Sequence, residues 1–500
     1  MGASPYDTYT SPLAQRNASA EMLRLWSPRH KFNTWRRIWL AVAEAQHEMG
    51  LPVSAEQVAE LRGVVARGIT DEEMRAAEKY EREVRHDVMA HVHALGDSCP
   101  KAKGIIHLGM TSQDVVCNAD INVLFEAISL IDAKAARAVD ALARQAARHR
   151  ALPTLGFTHY QPAQPVTVGR RFALWAQDLA LAQERLALTK TSGLAMRGLR
   201  GATGTQASFA ALLGEKLESG PNRFEDLALA RFRVDPLLDR TYDLTGQTYP
   251  RVIDTFILAD LASCASVLHK IATDIRLLSN RKEIDEPFED KQIGSSAMPY
   301  KRNPMRCERI CGLARFVMNL VGNAYNTAAM QWLERTLDDS SNRRLSLPEA
   351  FLALDGALDL MHNVASGLIV HEAMVKKNLM AELSFMATEN ILMACVQLGG
   401  DRQHYHELIR VHAQAAGLRV KQDGLDNDLL DRLKNDRAFW GKARGGPLSA
   451  ELDWAGVMDP MKYVGRSVEQ TDRFIAEVVE PMREQYDDAI ARLGDTSPRV

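Results

Sequence analysis

Five polar clusters have the residue types and spacing to do chemistry. Between Gly294 and Pro304 runs GSSAMPYKRNP, with two small hydroxyls, a cation six residues after the first of them, an amide, and glycine and proline punctuation. Arg335, Arg343 and Arg344 bracket Ser340, and guanidinium forks match phosphate oxygens; the plainer reading is a solvated turn whose salt bridges are each worth little. Thr111-Ser112-Gln113-Asp114 puts a hydroxyl and then an acid ahead of a long apolar pattern, which is an N-cap signature. The free N–H groups and positive dipole end of such a helix start also make an anion site. His159, in GFTHYQP, is of the residue type suited to donating a proton to a leaving group, although a lone histidine is more often structural. Arg85-His86-Asp87 precedes His91 and His93. The gaps between these histidines are five, two and seven residues, not the i, i+4 pairing of helical metal ligands, so a metal is rejected and His91 and His93 read as structural.

These groups need elements to place them. The chemistry-bearing loop extends from about Glu283 to Asn303 with no helical or strand periodicity. A patternless stretch of about twenty residues in a compact domain is usually a functional lid or disordered, and this one runs directly into a strongly helical segment. Five long helices are predicted from apolar residues at alternating spacings of three and four. They carry Ile121 to Leu142, Phe172 to Leu186, Ile257 to Leu278, Ile310 to Ala324, and Leu347 to Leu368. Several run about 25–30 residues, or roughly 40 Å at 1.5 Å per residue, longer than the usual globular helix. Such lengths suit an extended bundle that also buries surface against other subunits. The Arg335–Arg344 cluster is placed at the close of the fourth helix, Gln247 at the start of the third, and Ala443 to Gly465, with its Gly-Gly-Pro and Asp-Pro, in an irregular segment.

Composition bounds the rest. Five hundred residues exceed one ordinary core. Apolar residues at 46% and charged residues at 25% describe a soluble globular chain. A net charge of −3 gives no global field for nucleic acid or an anionic membrane. Six sparse cysteines without a CxxC pair point to free thiols in a reducing cytoplasm. MGASPYDTYT lacks the apolar core of a signal peptide, and Tyr6 stands where a myristoylation signal needs Ser or Thr. No run of about eighteen uncharged apolar residues is present to span a membrane. GATGTQAS at 201–208 lacks the GKS/T ending of a triphosphate-binding loop.

GSSAMPYKRNP resembles the signature loop of the fumarase/aspartase superfamily. Its Tyr300 and Arg302, followed by Met305-Arg306-Cys307-Glu308-Arg309, are similar to the adenylosuccinate lyase family in the form found in animals. The resemblance runs from about Ser11 to the C-terminal region and is weakest beyond about Asp436. It implies an all-α, three-domain fold: an N-terminal helical domain (1–111), a central bundle of five long helices (112–370) that assembles into a multi-subunit core, and a C-terminal helical domain (371–500).

The resemblance also implies an activity, the β-elimination of fumarate from adenylosuccinate and from the succinylaminoimidazole carboxamide ribotide of purine synthesis. Ser295 matches the general base, His159 the general acid, and Lys301 the charge that stabilises the carbanion intermediate. Arg16, Arg85, His86, Asp87, Thr111, Ser112, Thr158, Gln247, Ser296, Asn303, Glu308, Arg309, Arg335, Ser340 and Arg344 match substrate-binding positions. Arg16 is followed by Asn17, where the family has tyrosine, so that aromatic contact is not carried over. A cytoplasmic homotetramer with shared active sites is implied, with no metal, cofactor, nucleic acid or membrane. Two alternatives stay open: another fumarate-releasing lyase, such as one for argininosuccinate, and a non-catalytic scaffold relative.

Overall fold

The computed structural model describes residues 7–217, 223–437 and 451–494. The N-terminal part packs α1 (Pro28–Glu48), α2 (Ala55–Arg67), α3 (Asp71–Val84) and α4 (Asp87–Ser98) around Trp35, Trp39, Val58 and Leu95. Each helix starts where a side chain accepts from a free N–H: Ser27 for α1, Ser54 for α2, Thr70 for α3 and His86 for α4. Glu73 ties the group together. Its carboxylate accepts from Arg36 at 2.9 Å, Arg67 at 2.7 Å, Ser98 at 2.5 Å and the Thr70 N–H at 2.9 Å.

Burial pushes the Glu73 carboxyl upward, but those donors prevail and bring its pKa down to about 2. The unfolded chain holds a carboxyl near 4.5. The folded value is lower, so the contribution is complete above that value and is lost as pH falls towards about 2. Thermal melting at fixed protomer concentration should therefore fall more steeply with acid in the wild type than in Glu73→Gln. Parallel curves over that window would show that Glu73 does not carry this pH dependence.

The five expected long helices are present: α5 (Ser112–Arg148), α6 (Val168–Leu188), α7 (Val252–Asn280), α8 (Met305–Ala329) and α9 (Asp338–Ser366). They close a ring, α5 on α6, α6 on α7, α7 on α8, α8 on α9 and α9 back on α5, with α7 also touching α9. The apolar positions read from the sequence line its interior; in α5, Ile121, Leu124, Ile128, Ile131, Ala135, Ala138 and Leu142 are all buried. Among the described residues, α7 is long and apolar enough to cross a membrane, as are Glu372–Met386 and Thr388–Gln397 if that bent pair is taken as one span, but the apolar face of α7 is packed against three other helices of the ring. Between α5 and α9, buried Lys134 pairs with Asp355 at 2.5 Å and Asp359 at 2.8 Å. Asp359 also pairs with Arg137 at 2.7 Å, so it is removal of Lys134 that would leave a charge, the buried Asp355 carboxylate, without its cation.

Two small antiparallel ladders stand beside the ring. β1 (Pro153–Thr158) and β2 (Gln161–Thr167) form a hairpin between α5 and α6. β3 (Ile284–Asp285) pairs with β4 (Ile369–Val370) and anchors the start of the otherwise irregular 283–303 segment. Further helices include Glu372–Met386, Thr388–Gln397 and Arg402–Asp423. The last helices, Ser467–Phe474 and Glu480–Leu493, pack back on α6 and α5. Of the segment expected to be irregular, 443–450 lies outside the described residues; the remainder holds a short helix, Trp454–Val457, and a 3-10 turn, Pro460–Tyr463. All six cysteines are buried and unpaired.

One placement differs from the sequence reading. The fourth helix ends at Ala329, and Ser340, Arg343 and Arg344 lie in the first turns of α9 rather than closing α8. The acids Asp338 and Asp339 sit in that first turn, where they complement the helix dipole. They are the local signal for a start rather than a stop.

Candidate active site

A cavity of about 520 Å³ opens where the N-termini of α4, α5 and α9 converge. His86, Asp87, Thr111, Ser112, Gln247, Arg335, Ser340 and Arg344 line it, joined by Lys31, Asp120 and Arg343. Three helix starts direct free N–H groups and partial positive charge at one space, which is the arrangement an anion needs. Arg85 makes the α4 start possible. It occupies the left-handed region at φ 55°, breaks the helix in one residue, and so separates α3 from α4. Its own side chain lies in a shallower depression with Glu78, Glu81 and Arg82.

Hydrogen bonds fix the walls. The Met89 N–H donates to His86 Nδ1 at 3.3 Å, so a neutral ring carries its proton on Nε2, 3.3 Å from Ser112 Oγ. Arg344 donates to Asp87 at 2.9 Å, and Arg335 to Gln247 Oε1 at 3.0 Å. Arg343 is consumed by structure: it reaches Asp254 at 2.6 Å, Asp120 at 3.1 Å and the buried Tyr249 hydroxyl. It cannot be counted among the free cations.

Asp114 holds the α5 start in place. Its Oδ2 accepts the Thr111 N–H at 2.7 Å; its Oδ1 accepts the N–H groups of Arg200 at 2.8 Å and Gly201 at 3.0 Å. It also pairs with Arg197, and both side chains are fully buried. Arg197 continues to the carbonyls of Gly201 at 2.6 Å and Gly246 at 3.1 Å. The GATGTQ loop, the α5 start and the segment carrying Gln247 are thereby joined. Burial pushes the Asp114 carboxyl upward, opposed by Arg197 and the three N–H donors.

The signature loop is a separate, compact structure. Ser295 Oγ accepts from the N–H groups of Met298 at 3.2 Å and Ala297 at 3.4 Å. Asn303 donates to the Gly294 carbonyl at 2.8 Å and clasps the two ends. Gly294 is required there, because a Cβ would meet the Lys301 carbonyl oxygen at 2.1 Å. Glu286 accepts the N–H groups of Arg306 and Cys307, each at 3.0 Å, and so caps α8 behind the loop. Lys301 and Ser296 are exposed, and among the described residues Lys301 makes no ion pair.

His159 sits at the tip of the β1–β2 hairpin. Thr158 pairs with Gln161 across a two-residue turn in which His159 and Tyr160 have φ 52° and 57°, a primed turn matched to strand twist. Both turn residues and Thr158 are exposed. Arg309 donates to Asn17 Oδ1 at 2.8 Å and also bonds the Arg16 carbonyl. Asn17, left aside in the sequence reading, therefore positions Arg309 with its amide. Glu308 is exposed and lies 3.9 Å from Arg276.

Within one chain, eight of the expected residues share the cavity. The Ser295 loop, the His159 tip and the Arg16–Arg309 pair stand apart from its lining. Sequence reasoning missed Lys31, drawn to the cavity from a distant part of the chain, together with Asp120, on the same helix as Ser112, and the bracing role of Arg343 beside Arg344.

The ring of long helices with its loop before the fourth is the architecture of a fumarase/aspartase-type lyase. A family model described as Lyase matches residues 14–319, and one described as Adenylosuccinate lyase C-terminus matches 384–474. Among solved structures, 3-carboxy-cis,cis-muconate lactonizing enzyme from Pseudomonas putida superimposes with a TM-score of 0.78 at 23% identity, covering 95% of this chain and 99% of that one. A fumarate lyase from Mesorhizobium sp. BNC1 gives 0.75 at 22%, covering 94% and 100%. Adenylosuccinate lyase of Schizosaccharomyces pombe is 48% identical over 94% of both chains. That of Saccharomyces cerevisiae is 45% identical over 98% of this chain and 99% of its own. The chain belongs to the adenylosuccinate lyase family.

Proposed function

We propose that the protein cleaves adenylosuccinate to AMP and fumarate, and the related carboxamide ribotide in the same way. The observation that carries this reading is the cavity itself, where three helix N-termini meet Arg335, Ser340 and Arg344, a surrounding suited to a nucleotide phosphate. Ser295 removes a proton from the carbon of the succinyl group that adjoins the remote carboxylate. The electron pair spreads into that carboxylate, and the resulting dianion is stabilised by Lys301 and loop donors. The C–N bond then breaks, the electron pair leaves with nitrogen, and His159 supplies the proton. Serine is a weak base, but two N–H donors already point at Ser295 Oγ, and donors of this kind favour the ionised form. Loop closure that excludes water strengthens them.

The site is completed between subunits of a homotetramer. Leu174, Leu181 and Leu188 recur every seven residues on α6 and are exposed, as are Val252 and Phe256 on α7 and Phe316 on α8. Such stripes match the seam of a helical bundle shared between chains. A reducing, cytoplasmic setting agrees with the unpaired cysteines. Mixing Ser295→Ala with His159→Ala protein, followed by verified subunit exchange, should restore partial activity. Roughly a quarter of the sites in a random equal mixture draw both intact residues from different subunits. No recovery would count against shared sites.

The direct test is fumarate release from adenylosuccinate with AMP as co-product. A folded oligomer that releases neither would direct attention to another succinyl substrate.

A further inference from the structure

We propose that Lys31 is a further substrate-binding residue, whose ammonium holds the 5′-phosphate of the nucleotide in the cavity; this rests on the nucleotide-lyase reading above. Lys31 lies in the first turn of α1 and lines the cavity beside Asp87, Asp120 and Arg344. The first turn of α1 contains no acid, and instead carries Arg29, His30 and Lys31. Basic groups there oppose the helix dipole, and a local rule broken without local compensation marks functional positions. Two of the three are compensated at a distance: Arg29 pairs with Asp71, and His30 meets Glu126 at 2.7 Å.

Lys31 is not compensated in this way. Its Nζ lies 4.9 Å from the Trp35 ring centre and 5.3 Å from that of Phe32, a seat that holds a cation while leaving its N–H donors unspent. Among the described residues that line the cavity, every other cation is engaged with a carboxylate. Arg343 is taken by Asp254 and Asp120, Arg344 by Asp87, and Arg335 approaches Asp339 at 3.5 Å. The Arg344–Asp87 pair in particular offers a phosphate directional donors but no net charge. Lys31 supplies that charge. Burial lowers its pKa, Asp120 opposes this, and Arg344 adds to it. An arriving phosphate dianion would relieve both the desolvation and the repulsion.

The experiment is calorimetric titration of the intact oligomer with AMP, adenosine and fumarate, for wild type, Lys31→Met and Lys31→Arg. Methionine keeps the apolar stem against Trp35, and Lys31→Gln stands in should it perturb folding, judged by melting temperature and oligomeric state. The expected result is a loss of roughly ten- to hundred-fold in AMP affinity for the neutral variants, as for a hydrogen bond to a charged group. Adenosine and fumarate binding should be unchanged, and arginine should restore most of the AMP affinity. Equal losses for AMP and adenosine would make Lys31 a structural residue and overturn the proposal. A loss confined to fumarate would assign it to the succinyl end and overturn it equally. Unaltered AMP binding would remove Lys31 from the site. Failure of the wild type to bind AMP would instead overturn the nucleotide reading on which the proposal stands.

Discussion

Ser295→Ala is expected to lower kcat for fumarate release by about 10³-fold or more, the upper part of the range for loss of a general base, while AMP still binds. The separation of the two effects follows from where the groups lie. Ser295 belongs to the compact 294–303 loop, whose ends are closed by Asn303 and the Gly294 carbonyl at 2.8 Å. The cavity is built from other elements, the starts of α4, α5 and α9. Deleting one hydroxyl removes the acceptor of the Met298 and Ala297 N–H groups but leaves the clasp and the cavity untouched. Ser296→Ala, one residue along and exposed, is the control and should cost far less. A Ser295→Ala protein within tenfold of wild type would place the base elsewhere. Equal losses in the two variants would mean that the loop tolerates neither change, and would leave no special role for Ser295.

The bundle was legible from apolar spacing because the interior of a long-helix ring is decided by that spacing alone. Phe172, Trp175, Leu179, Ala182 and Leu186 were chosen for their intervals, and all are buried. The signature loop was legible for the opposite reason: its residues fit no period, and their types match a known family. Elsewhere local signals were weak or misleading. The β1–β2 hairpin contains Pro153, Pro162 and Pro165 and turns through His159-Tyr160, not the Asn-Gly or Asp-Gly pair that announces such a turn. The start of α9 is obscured in the sequence by the arginines around it, although Asp338 and Asp339 open the helix. Lys31 joins Arg344 in one cavity from more than three hundred positions away, a juxtaposition that periodicity does not encode. The expected roles of Ser295, His159 and Lys301 came from resemblance, and only experiments on those residues test them.

Asp114→Ala is the substitution expected to cost most in stability, about 3–5 kcal/mol, the range for stranding one member of a buried ion pair. Arg197 would keep its charge in a fully buried setting, with only the Gly201 and Gly246 carbonyls left as partners. Three N–H groups, from Thr111, Arg200 and Gly201, would lose their acceptor as well. Denaturant unfolding at fixed protomer concentration measures the cost, since subunit assembly shifts apparent stability by mass action. The double variant Asp114→Leu with Arg197→Met separates the two roles of the pair. Replacing both charges with apolar groups of similar size removes the stranded Arg197 charge, so that part of the loss should return, while the part due to the three unpaired N–H groups should remain. Substrate affinity should not return, because the N–H groups of Thr111, Arg200 and Gly201 would lose their shared acceptor at the start of α5, leaving Asn118 and Gly198 to tie the loop to that helix. Recovery of both would show that Asp114 matters only as the counter-charge of Arg197. A single variant within about 1 kcal/mol of wild type would show that the site relaxes enough to rehydrate Arg197, and would remove Asp114 as the post on which this end of the cavity is built.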